Sequence, residues 1–137
     1  MIFTSYFSQI RNFPKEIIPI SIAGKAPDWY SGLQYKKLAP KWDLFKVWKE
    51  THDNNYYIKC YREQVLDKLE YTQVIEDLYN LAFGHTGLTN SYICLLCYET
   101  PDKFCHWHLV AEWFMRHNVS CRELILDKEK GNLLWVL

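Results

Sequence analysis

The stretch that most constrains the fold is residues 91–98, SYICLLCY, an unbroken apolar run of strand length. A strand apolar on both faces needs cover on both faces. Chains meet that need with a parallel strand in a sheet that has helices on each side. A polar loop, ETPDKFC, follows, and then HWHLVAEWFMRHN. In that last segment Leu109, Val110, Trp113 and Phe114 fall at i, i+1, i+4 and i+5, the spacing of a helix face laid on a sheet. The rest of the chain is read around this strand–loop–helix unit.

IFTSYF, residues 2–7, reads as a first strand, and residues 8–13 as a short helix or turn. EIIPISIA, residues 16–23, reads as a second strand. Its Pro19 cannot donate to a ladder, so it belongs at a bulge, a strand start or an edge. Residues 25–40, KAPDWYSGLQYKKLAP, form a long loop, of the kind that serves a function or moves. Three helices are predicted next, over 41–51, 54–69 and 72–83. The second carries Tyr57, Tyr61, Val65 and Leu69 in successive i+4 steps, and the third has Thr72 as N-cap and stops at Gly84-His85-Thr86-Gly87. SCRELIL, residues 120–126, is a further strand, and 133–137, LLWVL, a last one in a hairpin. Strands alternating with helices predict an α/β fold: a small three-layer Rossmann-like domain with a mostly parallel sheet, residues 1–137 forming one domain.

Sixteen basic residues balance sixteen acidic ones, so no whole-chain electrostatic argument favours nucleic acid. Lys25, Lys36, Lys37, Lys41, Lys46 and Lys49 face only Asp28 and Asp43 over residues 24–49, a local excess suited to an anion or to a solvated surface. Met1 runs into a strand pattern without a basic leader, which predicts no signal peptide, and no apolar run approaches the ~20 residues that span a bilayer. The five cysteines, 60, 94, 97, 105 and 121, are odd in number and mostly embedded in apolar pattern, as expected of reduced thiols in a cytoplasmic protein.

In an open parallel sheet, ligands bind beyond the carboxyl ends of the strands. Residues 4–6, 21–25 and 97–99 are predicted to converge there, with the amino terminus of the last helix aimed at the same place. This gives Glu99, His106 and Cys105 as candidate catalytic residues. Ser5, Ser21, Gly24, Lys25, Trp29, Tyr30, Cys97 and His108 are candidates for ligand contact. Four readings of the Cys/His cluster stand. It contacts a phosphate-bearing molecule, with Glu99 as general base. Or Cys105, beside His106, is a nucleophile with a lowered pKa, although no Cys-x5-Arg cradle is present. Or Cys97, Cys105, His106 and His108 hold zinc, against which the spacing matches no zinc pattern and neighbours 105 and 106 diverge on a helix. Or the thiols are core and the histidines cap a helix. No metal and no cofactor is assigned.

LLCYETPDKFCHWHLVAEWF resembles the signature of a bacterial and phage family catalogued as a domain of unknown function, number four-eight-eight: Leu-Leu-Cys-x-Glu, a short loop, then Cys-His-Arg-x-x-Leu/Val-Ala. The likeness is closest from Leu95 to Ala111 and extends to IFTSYF and to the 25–42 loop. It implies a small Rossmann-like fold with the site in this loop, and no established reaction. Trp107 stands where the common form has Arg.

The expectation is therefore a cytoplasmic protein that binds a nucleotide-like or other phosphate-bearing small molecule at the strand ends and hydrolyses or transfers it. The alternative is a non-catalytic phage or bacterial accessory protein that sequesters a ligand or grips a protein. There the 133–137 segment would pair with a second copy as a homodimer. Nucleic acid is the least favoured partner, and a membrane is not expected.

Overall fold

The computed structural model describes residues 1–87, 92–98, 104–127 and 132–136, the last five and residues 125–127 by their backbone only. Six strands form one sheet: β1 (Ile2–Tyr6), β2 (Ile17–Ser21), β3 (Leu33–Gln34), β4 (Tyr92–Cys97), β5 (Cys121–Asp127) and β6 (Asn132–Val136). Their order is β3-β2-β4-β1-β5-β6, the first five parallel and β6 antiparallel to β5. The predicted α/β, Rossmann-like fold is the one observed. β4, the apolar run, lies at the centre between β2 and β1, and Ile93, Leu95 and Leu96 are fully buried. Each such side chain stabilises the fold by about 1.5–3 kcal/mol relative to an exposed one.

The two faces of the sheet are covered unequally. Four α-helices, α1 (Trp42–Thr51), α2 (Asn54–Gln64), α3 (Tyr71–Thr86) and α4 (His106–Arg116), share one core with Ile2, Ile18, Ile20, Ile22, Ile93, Leu95 and Cys97. The other face carries Phe3, Cys94, Leu96 and Leu124, covered by the 3-10 helix Phe7–Asn12 and by Ala23, Ala26 and Tyr30. The strand alternation thus sorts even and odd positions into a thick helical layer and a thin one.

Pro19 sits inside the ladder, in register with Cys94. The neighbouring bonds show how the sheet accepts it. Glu16 O and Ile22 N bond towards β4, whereas Ser21 O accepts from Tyr35 N on the β3 side. Pro19 therefore turns its missing donor away from β4, at a level where β3 has not begun. The Tyr30 hydroxyl, 3.3 Å from Pro19 O, lies there.

Three helix boundaries differ from expectation. The 54–69 helix ends at Gln64, and a 3-10 turn, Leu66–Lys68, carries the chain on, while Tyr57, Tyr61 and Val65 remain buried. The N-cap of α3 is Glu70, not Thr72. α3 also runs through Gly84 and His85 to Thr86 and is capped by Gly87 at φ 72. One helical glycine costs only about 1 kcal/mol, and the left-handed cap falls to the second glycine. No helix among the described residues is long and apolar enough to cross a membrane.

Candidate functional site

Cys97 is the last residue of β4 and Cys105 is the N-cap of α4. Phe104 anchors the entry into the helix, its ring 5.1 Å from Tyr57 and 5.8 Å from Trp48. Cys105 has φ −158 and ψ 155, an extended conformation, and the helix begins only at His106. The expectation that 105 and 106 diverge on a helix is corrected here, because only one of them is helical. Both thiols turn onto the same imidazole. Cys97 Sγ and Cys105 Sγ each lie 3.6 Å from His106 Nδ1. On the far side of the ring, Nε2 is 2.7 Å from Ile22 O. A carbonyl only accepts, so Nε2 carries the hydrogen and donates it. All three residues are buried.

The Tyr61 ring packs 5.5 Å from His106 and donates its hydroxyl to Leu38 O at 2.6 Å. Tyr57 stacks on Tyr61 at 5.9 Å. Burial, reinforced by the neighbouring groups, pushes both phenols up, so they stay neutral walls. Burial also pushes the Cys105 thiol up. Hydrogen bonds from Cys97 and His106, the charge of His106 and the Trp107 backbone N–H outweigh it and hold the thiol well below its ordinary range.

The chain leaves adjacent strands β1 and β4 towards opposite faces. After β1 it enters the thin layer through Phe7, and after β4 it enters the thick layer through α4. This is the topological switch point at which open α/β sheets form their crevice. On its thin side stands a ring cluster. Phe7 lies 5.1 Å from Tyr98, 5.3 Å from Tyr30 and 6.3 Å from Trp29. Tyr98 also donates its hydroxyl to Lys25 O. Trp29 is 63% exposed and Tyr98 49%.

The remaining predicted residues divide. Lys25 and Gly24 are exposed just past β2, and Gly24 O accepts from the Lys36 ammonium. Tyr30 is half-buried; its hydroxyl donates to Leu33 O at 2.6 Å, and burial pushes its pKa up to about 12, so it pins the loop. Ser5 and Ser21 face the thin layer, opposite the Cys/His triad. Ser5 Oγ donates to Leu124 O at 3.2 Å, and Ser21 Oγ accepts from Ala23 N at 3.3 Å. His108 leaves the triad as well, pairing with Glu123 of β5 at 3.0 Å and stacking on Trp107 at 4.2 Å. Glu99 lies outside the described residues. Trp107 is fully buried, with no partner for its Nε1 among the described residues.

Glu123, Tyr57 and Tyr61 belong to the surroundings of the site and were missed in the sequence. Tyr57 and Tyr61 read there as an apolar stripe, and Glu123 meets His108 only through the pairing of α4 with β5.

A family profile described as DUF488-N3a, active DUF488-N3 subclade, matches residues 8–118. No curated protein and no solved structure matches the chain.

Proposed function

The chain belongs to the DUF488-N3a family, and from that premise we propose that it is a small cytoplasmic protein of bacterial or phage origin. It binds a nucleotide-like or other phosphate-bearing small molecule at the carboxyl ends of its strands and hydrolyses or transfers it. The observation that carries this reading is the topological switch point between β1 and β4, where open α/β sheets bind ligands. On one side it is flanked by exposed rings, Trp29 and Tyr98, suited to a flat base. On the other stands the amino end of α4, whose dipole favours an anion. Lys25 adds a cation at the rim. The Cys97/Cys105/His106 triad forms the buried floor, and Glu99 is the general base.

The test is a thermal-shift panel of phosphate, mononucleotides, dinucleotides and ADP-ribose, followed by titration calorimetry. A nucleotide-type ligand should stabilise the wild type. Trp29→Ala should weaken it by about 1–3 kcal/mol, the range for one base–ring stack. Silence across the panel would remove the ligand reading. Once a ligand is in hand, Glu99→Gln should abolish turnover and leave affinity largely intact; undiminished turnover removes Glu99 from the reaction.

A second reading, protein association, rests on β6, which among the described residues has β5 as its single neighbour at the sheet edge. A homodimer through that edge should lose half its mass by light scattering when residues 133–137 are deleted.

A further inference from the structure

We propose that Cys97, Cys105 and His106 form a metal site for a thiophilic, tetrahedral divalent ion of the zinc class. The inference does not depend on the phosphate ligand, because it stands on the triad's own geometry. The three ligand atoms lie within 4.8 Å of one another, and all three residues are buried. Each sulfur is 3.6 Å from the same Nδ1. A tetrahedral zinc ion with bonds of about 2.3 Å to sulfur and about 2.0–2.1 Å to nitrogen sets its ligand atoms about 3.6 Å apart along that edge. Both sulfur–nitrogen edges therefore already stand at coordination spacing.

The second nitrogen supports the assignment. Metal-binding histidines usually donate their other N–H to a carbonyl or carboxylate, which fixes the tautomer and aims the lone pair. His106 Nε2 does this with Ile22 O at 2.7 Å. Nδ1 faces both sulfurs at the same distance. A cation bound to two thiolates and the imidazole satisfies all three atoms at once. Two thiolates and one imidazole select soft and borderline ions over magnesium or calcium. The three residues come from the end of the central strand and the start of α4, with Ile22 following β2, so the site would tie together the elements that shape the crevice. Three protein ligands leave one tetrahedral corner, which in catalytic zinc sites carries water or substrate.

The experiment is a cobalt(II) titration of the reduced full-length chain, read by absorption, with zinc competition. One equivalent should give thiolate-to-cobalt charge transfer and the intense ligand-field bands of a tetrahedral ion, and zinc should bleach both. Cys97→Ser and Cys105→Ala should each weaken cobalt binding by more than about 100-fold, beyond what losing a supporting contact does. Cys94→Ala and Cys60→Ala should leave the spectrum unchanged. Circular dichroism checks that each variant is folded, and the wild-type titration decides independently of any variant. A folded wild type without these bands would overturn the site. So would bands that survive both Cys97→Ser and Cys105→Ala.

Discussion

Cys94 and Cys105 are both buried thiols of the same protein, eleven positions apart in the chain, and their chemistry points in opposite directions. Cys94 sits in the middle of β4 on the thin face, and burial, with Cys121 nearby, drives its thiol well up. Cys121, in the neighbouring layer, is pushed to about 12, by burial and then by Glu123. Cys105 is buried as well, yet its thiol is held well down, because Cys97, His106 and a helix-start amide surround it. Burial alone makes a thiol a small apolar side chain, and burial with aimed donors makes it an anion or a ligand. The difference separates the part of the sheet that only packs from the part that can do chemistry.

The largest effect expected from this contrast comes from removing the imidazole. His106→Ala deletes a buried ring, removes the donor from Ile22 O and takes away one partner that the two thiols share. Ring-to-alanine changes in cores cost about 3–5 kcal/mol, and an unsatisfied buried acceptor belongs to the same class of penalty. Cys94→Ala, equally buried, should cost about 1 kcal/mol, the usual size for a point substitution. Urea denaturation of both variants, without metal, checks the pair. Equal losses would mean that His106 is ordinary packing.

The contrast also marks what could be read from the chain. The central strand was legible because YICLLC is apolar at every position, and the helices because their apolar residues recur at helical spacing. The expected place for a ligand, beyond the carboxyl ends of the strands, followed from the rule for parallel sheets. That Ser5 and Ser21 would turn away from the triad is a matter of strand parity: Cys97 shares a face with Ile93 and Leu95, while Ser5 aligns with Phe3 and Ser21 with Ile17. That parity becomes usable only when the register between strands is known. The convergence of 105 and 106 was illegible, because it depends on the helix starting one residue after Cys105, and boundaries shift by a residue or two for reasons outside the local pattern. His108 was drawn to the triad by its spacing. In the fold it answers to Glu123, a partner fifteen residues on that only β5 brings near.

A smaller and more discriminating effect lies in the pH dependence of Cys105. An unfolded thiol titrates near 8.5, and the folded one ionises at lower pH. An acid whose folded pKa is depressed contributes stability that is fully present above its unfolded pKa. That contribution is lost as pH falls through the folded value. Cys105→Ser removes the thiol and should therefore cost most at and above about pH 8.5. The penalty there should be of the order of the ~1.5–3 kcal/mol that hydrogen bonds to charged groups contribute, and it should shrink as the solution is made more acidic. Cys94→Ser should behave differently. Its native thiol titrates above the unfolded value, so it contributes no stability of this kind between pH 6 and 8, and its penalty should stay flat there. Denaturation curves of both serine variants against wild type from pH 6 to 9, in reductant and chelator, make the comparison. A Cys105→Ser penalty as flat as that of Cys94→Ser would show that the imidazole beside Cys105 leaves its thiol in the ordinary range. The floor of the crevice would then be packing, as it is on the other face of β4.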